Sequence, residues 1–328
     1  MTTGLLQDTT ILFRYYKAES PYVKAFLQHY ASLGANNYIT IVQNDEDKVS
    51  IEKNFNILDS NATVKIIQLP SELDCNQALV GLNPTLIKNR TEFVLIIDCD
   101  EFLFAKTQEP HDDKNKFNMR ELLKGKSRAH FKWVMTTNSK TTTPCQFGYQ
   151  MGYGKDIAKS DLITGIKSVH KFETKGQPED VNPNKEKLQI GLAHHWGRTF
   201  KDTLLKICYQ RERYPGNPKN NDFITLERFL AEQELPKRFR YMAFIEAREK
   251  TINISSTNHQ HLYNFDQEEE LLNPYANQKQ INELRKLYNE YIERIKLRGQ
   301  TFIQEHTKGA VFKSVRIIPS LKDLRKER

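Results

Sequence analysis

Three acidic side chains stand together directly after an apolar segment, and their types and spacing suggest cation chemistry. Residues 93–97 read Phe-Val-Leu-Ile-Ile, a run typical of a strand buried on both faces. Asp98, Asp100 and Glu101 follow at its carboxyl end, where open α/β sheets collect their ligands. Alternation along an extended chain predicts that Asp98 and Asp100 point to the same side, where two carboxylates repel unless a cation lies between them. We therefore expect Mg²⁺ or Mn²⁺ at these oxygens, although a solvated strand end is the simpler alternative.

A regular alternation of strands and helices would position these acids. Strands are predicted to begin near residues 10, 38, 63 and 92, with a helical pattern between each pair. This rhythm predicts an α/β fold with a Rossmann-like, mostly parallel sheet flanked by helices, and it spans residues 1–103. Neither a Gly-x-Gly-x-x-Gly nor a Gly-x-x-x-x-Gly-Lys-Ser/Thr motif is present, which disfavours NAD, FAD and P-loop nucleotides.

The rest of the chain changes from mixed to helical character. Further strands are predicted at 129–135, 167–172 and 188–194, with helices at 75–87, 200–213 and 281–295. We expect residues 104–215 to complete the first domain and residues 216–328 to form a helical C-terminal extension.

Composition narrows the class of protein. The 328 residues are 38% hydrophobic, and no run of about 18 apolar residues predicts a membrane span. No secretion signal is recognisable at the N-terminus and the four cysteines are dispersed, which fits a cytoplasmic protein without disulfides. The net charge is +8, yet no nucleic-acid-binding module is recognisable, so we expect no nucleic-acid partner. The basic tail at 309–328 could lie on the inner face of a membrane or pack on its own domain.

An ordered set of motifs over residues 10–210 resembles the GT-A-fold glycosyltransferases of the family-2-like and family-92-like kind. The matching residues are Lys17-x-Glu19, the helix from Phe26 through His29 to Gly34, Gln77, Asp98-x-Asp100-Glu101-Phe102-Leu103 and His194-His195-Trp196-Gly197-Arg198-Thr199. The family patterns that these are similar to include Asp-x-Asp-Glu-Phe and His-Tyr-x-x-Lys/Arg-Ser.

The resemblance implies a metal-dependent enzyme that moves a sugar from a nucleotide sugar, UDP-linked, to a glycan or lipid-linked acceptor of a bacterial capsule or lipopolysaccharide. A divalent cation would neutralise the departing diphosphate. The implied metal ligands are Asp98, Asp100 and His194, with His195 as the alternative histidine. The residues expected at the nucleotide sugar are Lys17, Glu19, Asn44, Asp45, Gln77, Asp98, Lys167 and Arg198. Asp161 and Glu101 are the candidates for the general base that an inverting transfer requires.

Two other classes of function remain open at this stage. A phosphatase of the haloacid dehalogenase type would use Asp98 as its nucleophile, but Phe102 replaces the expected Thr or Val and three strands precede the motif. A non-catalytic carbohydrate-binding module could share the same fold. A cluster at His111, Asp112 and Asp113 could also bind a metal, although a solvated charged loop is the simpler interpretation.

Overall fold

The structure is a computed structural model of the chain. It describes residues 4–69, 79–88, 90–105, 119–137, 146–176, 190–213, 226–233, 235–247, 252–257 and 259–297. Gln77, the predicted loop cluster at 111–113 and the basic tail at 309–328 lie outside the described residues.

In the described residues, helices alternate with the first three strands, most of the remaining strands follow, and the last part of the chain is mainly helical. The strands are β1 (Thr9–Arg14), β2 (Asn37–Val42), β3 (Thr63–Gln68), β4 (Phe93–Asp98), β5 (Glu101–Ala105), β6 (Arg128–Thr137), β7 (Phe147–Lys159), β8 (Ile163–Ser168), β9 (Lys171–Thr174), β10 (Ile190–Gly197) and β11 (Ile252–Asn253). The α-helices are α1 (Ser20–Ser32), α2 (Asp45–Phe55), α3 (Met119–Leu122), α4 (Phe200–Arg213), α5 (Leu226–Glu232), α6 (Lys237–Glu246), α7 (Phe265–Leu272) and α8 (Gln278–Leu297).

One mixed sheet dominates the described chain. Its strand order is β3-β2-β1-β4-β7-β6-β10-β5, with β11 paired to β7, and β8 and β9 form a separate hairpin. The pairs among β1, β2, β3 and β4 are parallel, whereas β7 pairs with β4 and β10 pairs with β5 in antiparallel fashion. The predicted α/β class with a mainly helical C-terminal region is therefore confirmed. No helix among the described residues is both long and apolar enough to cross a membrane.

Two compact units share the chain, and each is assembled from three segments. The first contains Met1–Val134, Tyr153–His194 and Ser256–Tyr263, and the second contains Met135–Gly152, His195–Ser255 and Asn264–Arg328. The strands β6, β7 and β10 begin in one unit and end in the other. The expected domain boundary near residue 215 stays a prediction.

In the first unit, α1 fixes the acidic end of β4 from one face of the sheet. Pro21 suits the first turn because its missing N–H would have no partner there, and Gly34 follows the helix in the left-handed region with φ +93°. The hydroxyl of Tyr30 donates to the Glu101 carbonyl at 3.0 Å and accepts from the Leu103 amide at 3.1 Å. The start of β5 is thereby tied to the helix.

A second contact from α1 holds the same strand. The buried His29 ring donates from Nε2 to the Leu103 carbonyl at 2.8 Å, and its Nδ1 lies 2.9 Å from Nε2 of His259. Burial is the largest influence on this ring, and the neighbouring His259 adds to it, so the pKa of His29 falls to about 3. His29 therefore stays neutral at physiological pH.

The sequence did not predict β7, and it placed one strand where the structure has two. Gly148, Gly152 and Gly154 interrupt the apolar pattern of β7, so strand periodicity is weak there. At Gly154 a Cβ atom would overlap the carbonyl oxygen of Phe131, which means that the two backbones approach too closely for any side chain. The predicted strand at 167–172 is divided by a turn between β8 and β9.

Part of the predicted helix at 75–87 lies outside the described residues. Its described portion includes a 3₁₀ turn at Pro84–Leu86, and the Asn83 side chain accepts from the Thr85 amide. The proline removes a backbone donor, which explains why the regular helical pattern does not continue.

In the second unit, buried charges accompany the packing of α4. Arg198 Nε lies 3.4 Å from an Asp202 carboxylate oxygen, and Lys206 Nζ lies 3.5 Å from the same oxygen. Thr199 donates to Glu268 on α7, so the start of α4 and α7 are joined by a buried polar contact. Buried charges of this kind are tolerated because they are paired.

The close approach at Gly154 generates a stability prediction. Gly154→Ala should lower the free energy of unfolding by about 3 kcal/mol, because the new methyl group collides with backbone rather than with a movable side chain. Gly152→Ala is the matched control on the same strand, since no atom lies within 4 Å of its added Cβ. Urea unfolding curves measure both. Equal effects of the two substitutions would contradict the close packing at Gly154.

The buried His29 predicts a component of acid destabilisation. The folded pKa of about 3 lies below the usual value of 6.5, so only the unfolded chain takes up this proton between those pH values. The contribution of His29 to the free energy of unfolding should therefore be retained above pH 6.5. Below that pH it should fall by about 1.4 kcal/mol per pH unit. Urea unfolding of His29→Gln should show a correspondingly shallower slope between pH 6 and 4.5. The exposed His261 provides the control variant His261→Gln, which should keep the wild-type slope.

Candidate functional site at the ends of β1 and β4

The carboxyl ends of β1 and β4 form the position in the first unit where ligand binding is expected. β1 lies between β2 and β4 in the sheet. The chain therefore continues from β1 to β2 on one side and later returns to form β4 on the other side. Chain crossovers diverge at such a point, and open α/β sheets bind ligands beside it. The register pairs Arg14 with Asp98, which places the last residues of the two strands side by side.

Asp98 is held between two cations of the protein itself. Its Oδ1 lies 2.7 Å from Nη2 of Arg14, and its Oδ2 lies 2.6 Å from Nζ of Lys155. Burial acts to raise the pKa of Asp98, but the charges of Arg14 and Lys155 outweigh it and hold that pKa below its usual range. The Asp98 carboxylate is therefore ionised and has an ion-pair partner for each oxygen.

Like Arg14, Lys155 is a residue of this site that the sequence did not reveal. It extends from β7 with a fully buried side chain, and its ammonium donates to the Val169 carbonyl at 2.8 Å as well as to Asp98. The same nitrogen lies 3.8 Å from Oε2 of Glu101. The sequence does contain one indication, the adjacent Lys155 and Asp156 between Gly154 and Ile157. Charged side chains within a buried strand indicate a buried partner of opposite charge. Without the strand assignment, that signal had no structural meaning.

Glu101 and His194 face each other across β5 and β10. They are direct cross-strand partners, and Oε1 of Glu101 lies 3.9 Å from Nδ1 of His194. Both atoms are buried, and neither has a hydrogen-bond partner among the described residues. The other Glu101 oxygen accepts the Asp98 amide at 2.9 Å. Glu101 thus braces the turn between β4 and β5 from inside the protein.

The two buried groups shift toward their neutral forms. Burial raises the pKa of Glu101 well above its usual range, although the Lys155 charge opposes the shift. Burial likewise lowers the pKa of His194, although the Asp100 carboxylate opposes that shift. A neutral imidazole can act as a metal ligand, whereas a protonated one cannot.

Asp100 and His194 together fit a divalent cation. Nε2 of His194 lies 3.4 Å from Oδ1 of Asp100. Adjacent ligands on an ion with bonds of about 2.1 Å lie about 3 Å apart, so the observed separation requires little adjustment. In the part of the chain that the structure describes, no group of three or more His, Cys, Asp or Glu side chains is arranged for a metal. Two protein ligands are compatible with Mg²⁺ or Mn²⁺, which commonly complete their shells with water and substrate phosphates.

Asp98 fits such an ion less well than the sequence pattern suggested. β4 ends at Asp98 and a turn occupies Cys99 and Asp100, so the alternation of side chains does not extend past the strand. Ligation by Asp98 would also require it to release Arg14 or Lys155. The predicted metal ligands therefore separate into an Asp100–His194 pair and an ion-paired Asp98.

The Trp133 ring packs against the His194 imidazole. The Trp133 ring centroid lies 4.5 Å from that of His194 and 5.2 Å from that of His170. Trp133 is buried, which is the arrangement expected of a core residue. Packing of this kind limits rotation of the imidazole and keeps Nε2 next to Asp100.

Residues predicted to contact the nucleotide cluster around the starts of α1 and α2. Glu19 is buried at the N-cap of α1. Lys17 has a partly exposed side chain whose Nζ lies 2.6 Å from Glu46. Their position after β1 agrees with the expected ligand edge, and their contact with a nucleotide stays a prediction.

Asn44 and Asp45 have structural partners in α2 and β3. The Asn44 side chain caps α2 by accepting from the Asp47 amide at 2.7 Å. Asp45 accepts from the Gln68 side chain at 2.9 Å. Both residues follow β2, one strand away from the end of β1.

The remaining predicted residues have different surroundings. Lys167 is exposed on β8, and Asp161 is exposed on the 3₁₀ turn Ser160–Leu162. Arg198 belongs to the second unit, where its guanidinium is buried beside Asp202. The alternative histidine His195 is also buried in the second unit.

Comparisons with known proteins give distant structural likenesses. No protein-family model and no curated protein matches this sequence. The mannosyltransferase Ktr4p from S. cerevisiae in complex with GDP aligns at 11% identity with a TM-score of 0.25, over 40% of this chain and 41% of that chain. S. aureus TarS 1–349 aligns at 11% identity with a TM-score of 0.30, over 88% of this chain and 92% of that chain. Likenesses this distant do not assign a function to the chain.

The cap on α2 generates a prediction about Asn44. Asn44→Ala should lower the free energy of unfolding by about 1 kcal/mol, because the Asp47 amide loses its acceptor. Asn44→Asp should keep most of that stability, since a carboxylate oxygen can accept the same hydrogen bond. Thermal or urea unfolding measures the effect. Equal stabilities for the alanine variant and the wild-type protein would contradict the capping role.

Proposed function

We propose that this protein is a metal-dependent glycosyltransferase of GT-A fold. The observation that supports it best is the Asp100–His194 pair, which lies next to the strand ends where an α/β sheet binds its ligand. The donor would be a nucleotide sugar, with a UDP-linked sugar as our first candidate. The acceptor would be a glycan or lipid-linked saccharide, as in the synthesis of a bacterial capsule or lipopolysaccharide.

Each residue has a separate role in this proposal. Asp100 and His194 would hold Mn²⁺ or Mg²⁺, and the bound ion would neutralise charge on the departing diphosphate. Arg14 has a partly exposed guanidinium at the end of β1, where it can add positive charge near the diphosphate. Asp98 would act by fixing Arg14 and Lys155 rather than as a ligand.

The acceptor hydroxyl needs a base, and the two candidates differ in access. Glu101 is fully buried, so its carboxylate braces the strand end and is separated from solvent. Asp161 is exposed and remains our candidate for the general base.

A donor screen tests the proposed function. Full-length protein is heated with UDP-sugars or GDP-sugars in the presence of Mn²⁺, Mg²⁺ or EDTA. With metal present, one donor at a hundredfold excess over the donor's dissociation constant should raise the melting temperature by about 3 °C. The same donor should have little effect in EDTA. Asp100→Asn and His194→Gln should remove the metal-dependent shift and lower sugar transfer by at least about a hundredfold.

Exposed residues provide the controls for that screen. Glu121→Gln and His261→Gln replace an exposed carboxylate and an exposed histidine of the first unit and should leave the shift unchanged. A shift that persists in Asp100→Asn would contradict the proposed metal site. Hydrolysis of a phosphate monoester that requires Asp98 would instead support a phosphatase, and sugar binding without nucleotide or metal would support a carbohydrate-binding module.

A further inference from the structure

Lys155 supplies a fixed positive charge directly beside the proposed metal site. Its side chain is fully buried, and its ammonium has three oxygen neighbours, at Asp98, Val169 and Glu101. Total burial means that this cation cannot leave for solvent, and its short contact with Asp98 means that this carboxylate is already neutralised. The acidic strand end therefore does not need an external ion to stay assembled.

The charges at this end of the sheet are nearly balanced before any ligand binds. Two cations, Arg14 and Lys155, lie within 2.7 Å of Asp98, and the carboxyl groups of Asp100 and Glu101 belong to the same strand end. A divalent ion alone would add two positive charges beside a fixed ammonium. A diphosphate alone would approach the Asp100 carboxylate. The two together largely cancel, so the site favours their joint binding.

We propose that Lys155 is a positioning residue that occupies Asp98 and makes cation binding at Asp100 and His194 depend on the diphosphate of the donor. This inference rests on the proposed function and deepens it. It assigns the two carboxylates of the Asp-x-Asp motif to different partners, one to a protein cation and one to the metal. It also predicts that metal and nucleotide bind cooperatively, so that each raises the affinity for the other.

Paired charge substitutions test this division of roles. Mn²⁺ binding is followed from the electron paramagnetic resonance signal of free Mn²⁺, with and without UDP or GDP. The wild-type protein should bind Mn²⁺ at least about tenfold more tightly when the appropriate nucleotide is present. Lys155→Met should bind Mn²⁺ alone about tenfold more tightly than the wild-type protein, because the repelling charge is gone and an Asp98 oxygen is released. A residue with only a structural role would not produce a gain.

The double variant gives the sharpest contrast. Asp98→Asn leaves Lys155 uncompensated and should weaken Mn²⁺ binding about tenfold. Asp98→Asn combined with Lys155→Met removes both charges and should return the affinity to within about threefold of wild type. If Asp98 were a metal ligand, the double variant would still lack that ligand and would bind Mn²⁺ more than threefold more weakly than wild type. Restored binding supports the inference, and absent restoration overturns it.

The matched control is Lys159→Met on the same strand. Lys159 pairs in register with Phe93, at the opposite end of β4 from Asp98, so its removal changes the net charge without touching the site. It should leave Mn²⁺ binding unchanged. A gain equal to that of Lys155→Met would mean that overall charge is responsible and would overturn the inference.

Stability in EDTA provides a readout that needs no metal. Lys155→Met and Asp98→Asn should each lower the melting temperature, and the double variant should regain most of the loss. If Lys155→Met does not fold, Asp98→Asn and the double variant still decide the question. Additive losses would overturn the pairing of Lys155 with Asp98.

Failure of the inference and failure of the function look different. One outcome is that Mn²⁺ binding requires Asp100 and His194 and yet has the same affinity in Lys155→Met and in the double variant. That result overturns the inference and leaves the transferase proposal standing. No Mn²⁺ binding with any nucleotide overturns the metal step of the transferase and the dependence on diphosphate together. The melting temperatures in EDTA then report separately whether Lys155 and Asp98 act as a pair.

Discussion

Compensation of buried carboxylates is the constraint on which the candidate site depends. Asp98, Asp100 and Glu101 fall within four consecutive residues; Asp100 and Glu101 are buried and Asp98 is partly buried, and a carboxylate taken out of water needs a compensating charge or hydrogen bond. The protein meets this requirement with Arg14 and Lys155, both within 2.7 Å of Asp98. The β4–β5 turn can therefore fold before any ligand arrives.

Sheet topology supplies these partners from distant parts of the sequence. β4 lies between β1 and β7, so one neighbouring strand provides Arg14 and the other provides Lys155. β5 pairs with β10, which places His194 directly opposite Glu101. The helix α1 then ties β5 from the other side through Tyr30 and His29. Four separate chain segments thus converge on one turn, and each is held by the sheet or by a helix rather than by a mobile loop.

Local patterns were enough for the first half of the fold and for the location of the site. The apolar run before Asp98 predicted a buried strand, and the spacing of strands and helices predicted the parallel part of the sheet. Periodicity could not reveal β7, because glycines break its alternation, and one of them, Gly154, is required by close backbone contact with β6. With that strand unassigned, Lys155 could not be placed beside Asp98.

The same limit explains why the sequence pattern suggested that both aspartates face one cation, although Asp98 was also predicted to contact the nucleotide sugar. Alternation holds only while the chain is extended, and the strand ends at Asp98. The turn at Cys99 and Asp100 is enough to send Asp100 toward His194 while Asp98 stays between the cations of neighbouring strands.

Proximity of the two carboxylates also gives the division of roles an electrostatic consequence. A charge of one unit still acts strongly over several ångströms at the effective dielectric constant of a partly buried site. Lys155 therefore influences any cation at Asp100 even though it touches only Asp98, Glu101 and Val169 among the contacts described. Because its side chain is buried, mobile salt ions cannot screen this influence as they would screen a surface lysine. A short acidic motif can thus combine a permanent internal ion pair, at Asp98, with a pair of metal ligands, Asp100 and His194. The neighbouring strands determine which carboxylate takes which role.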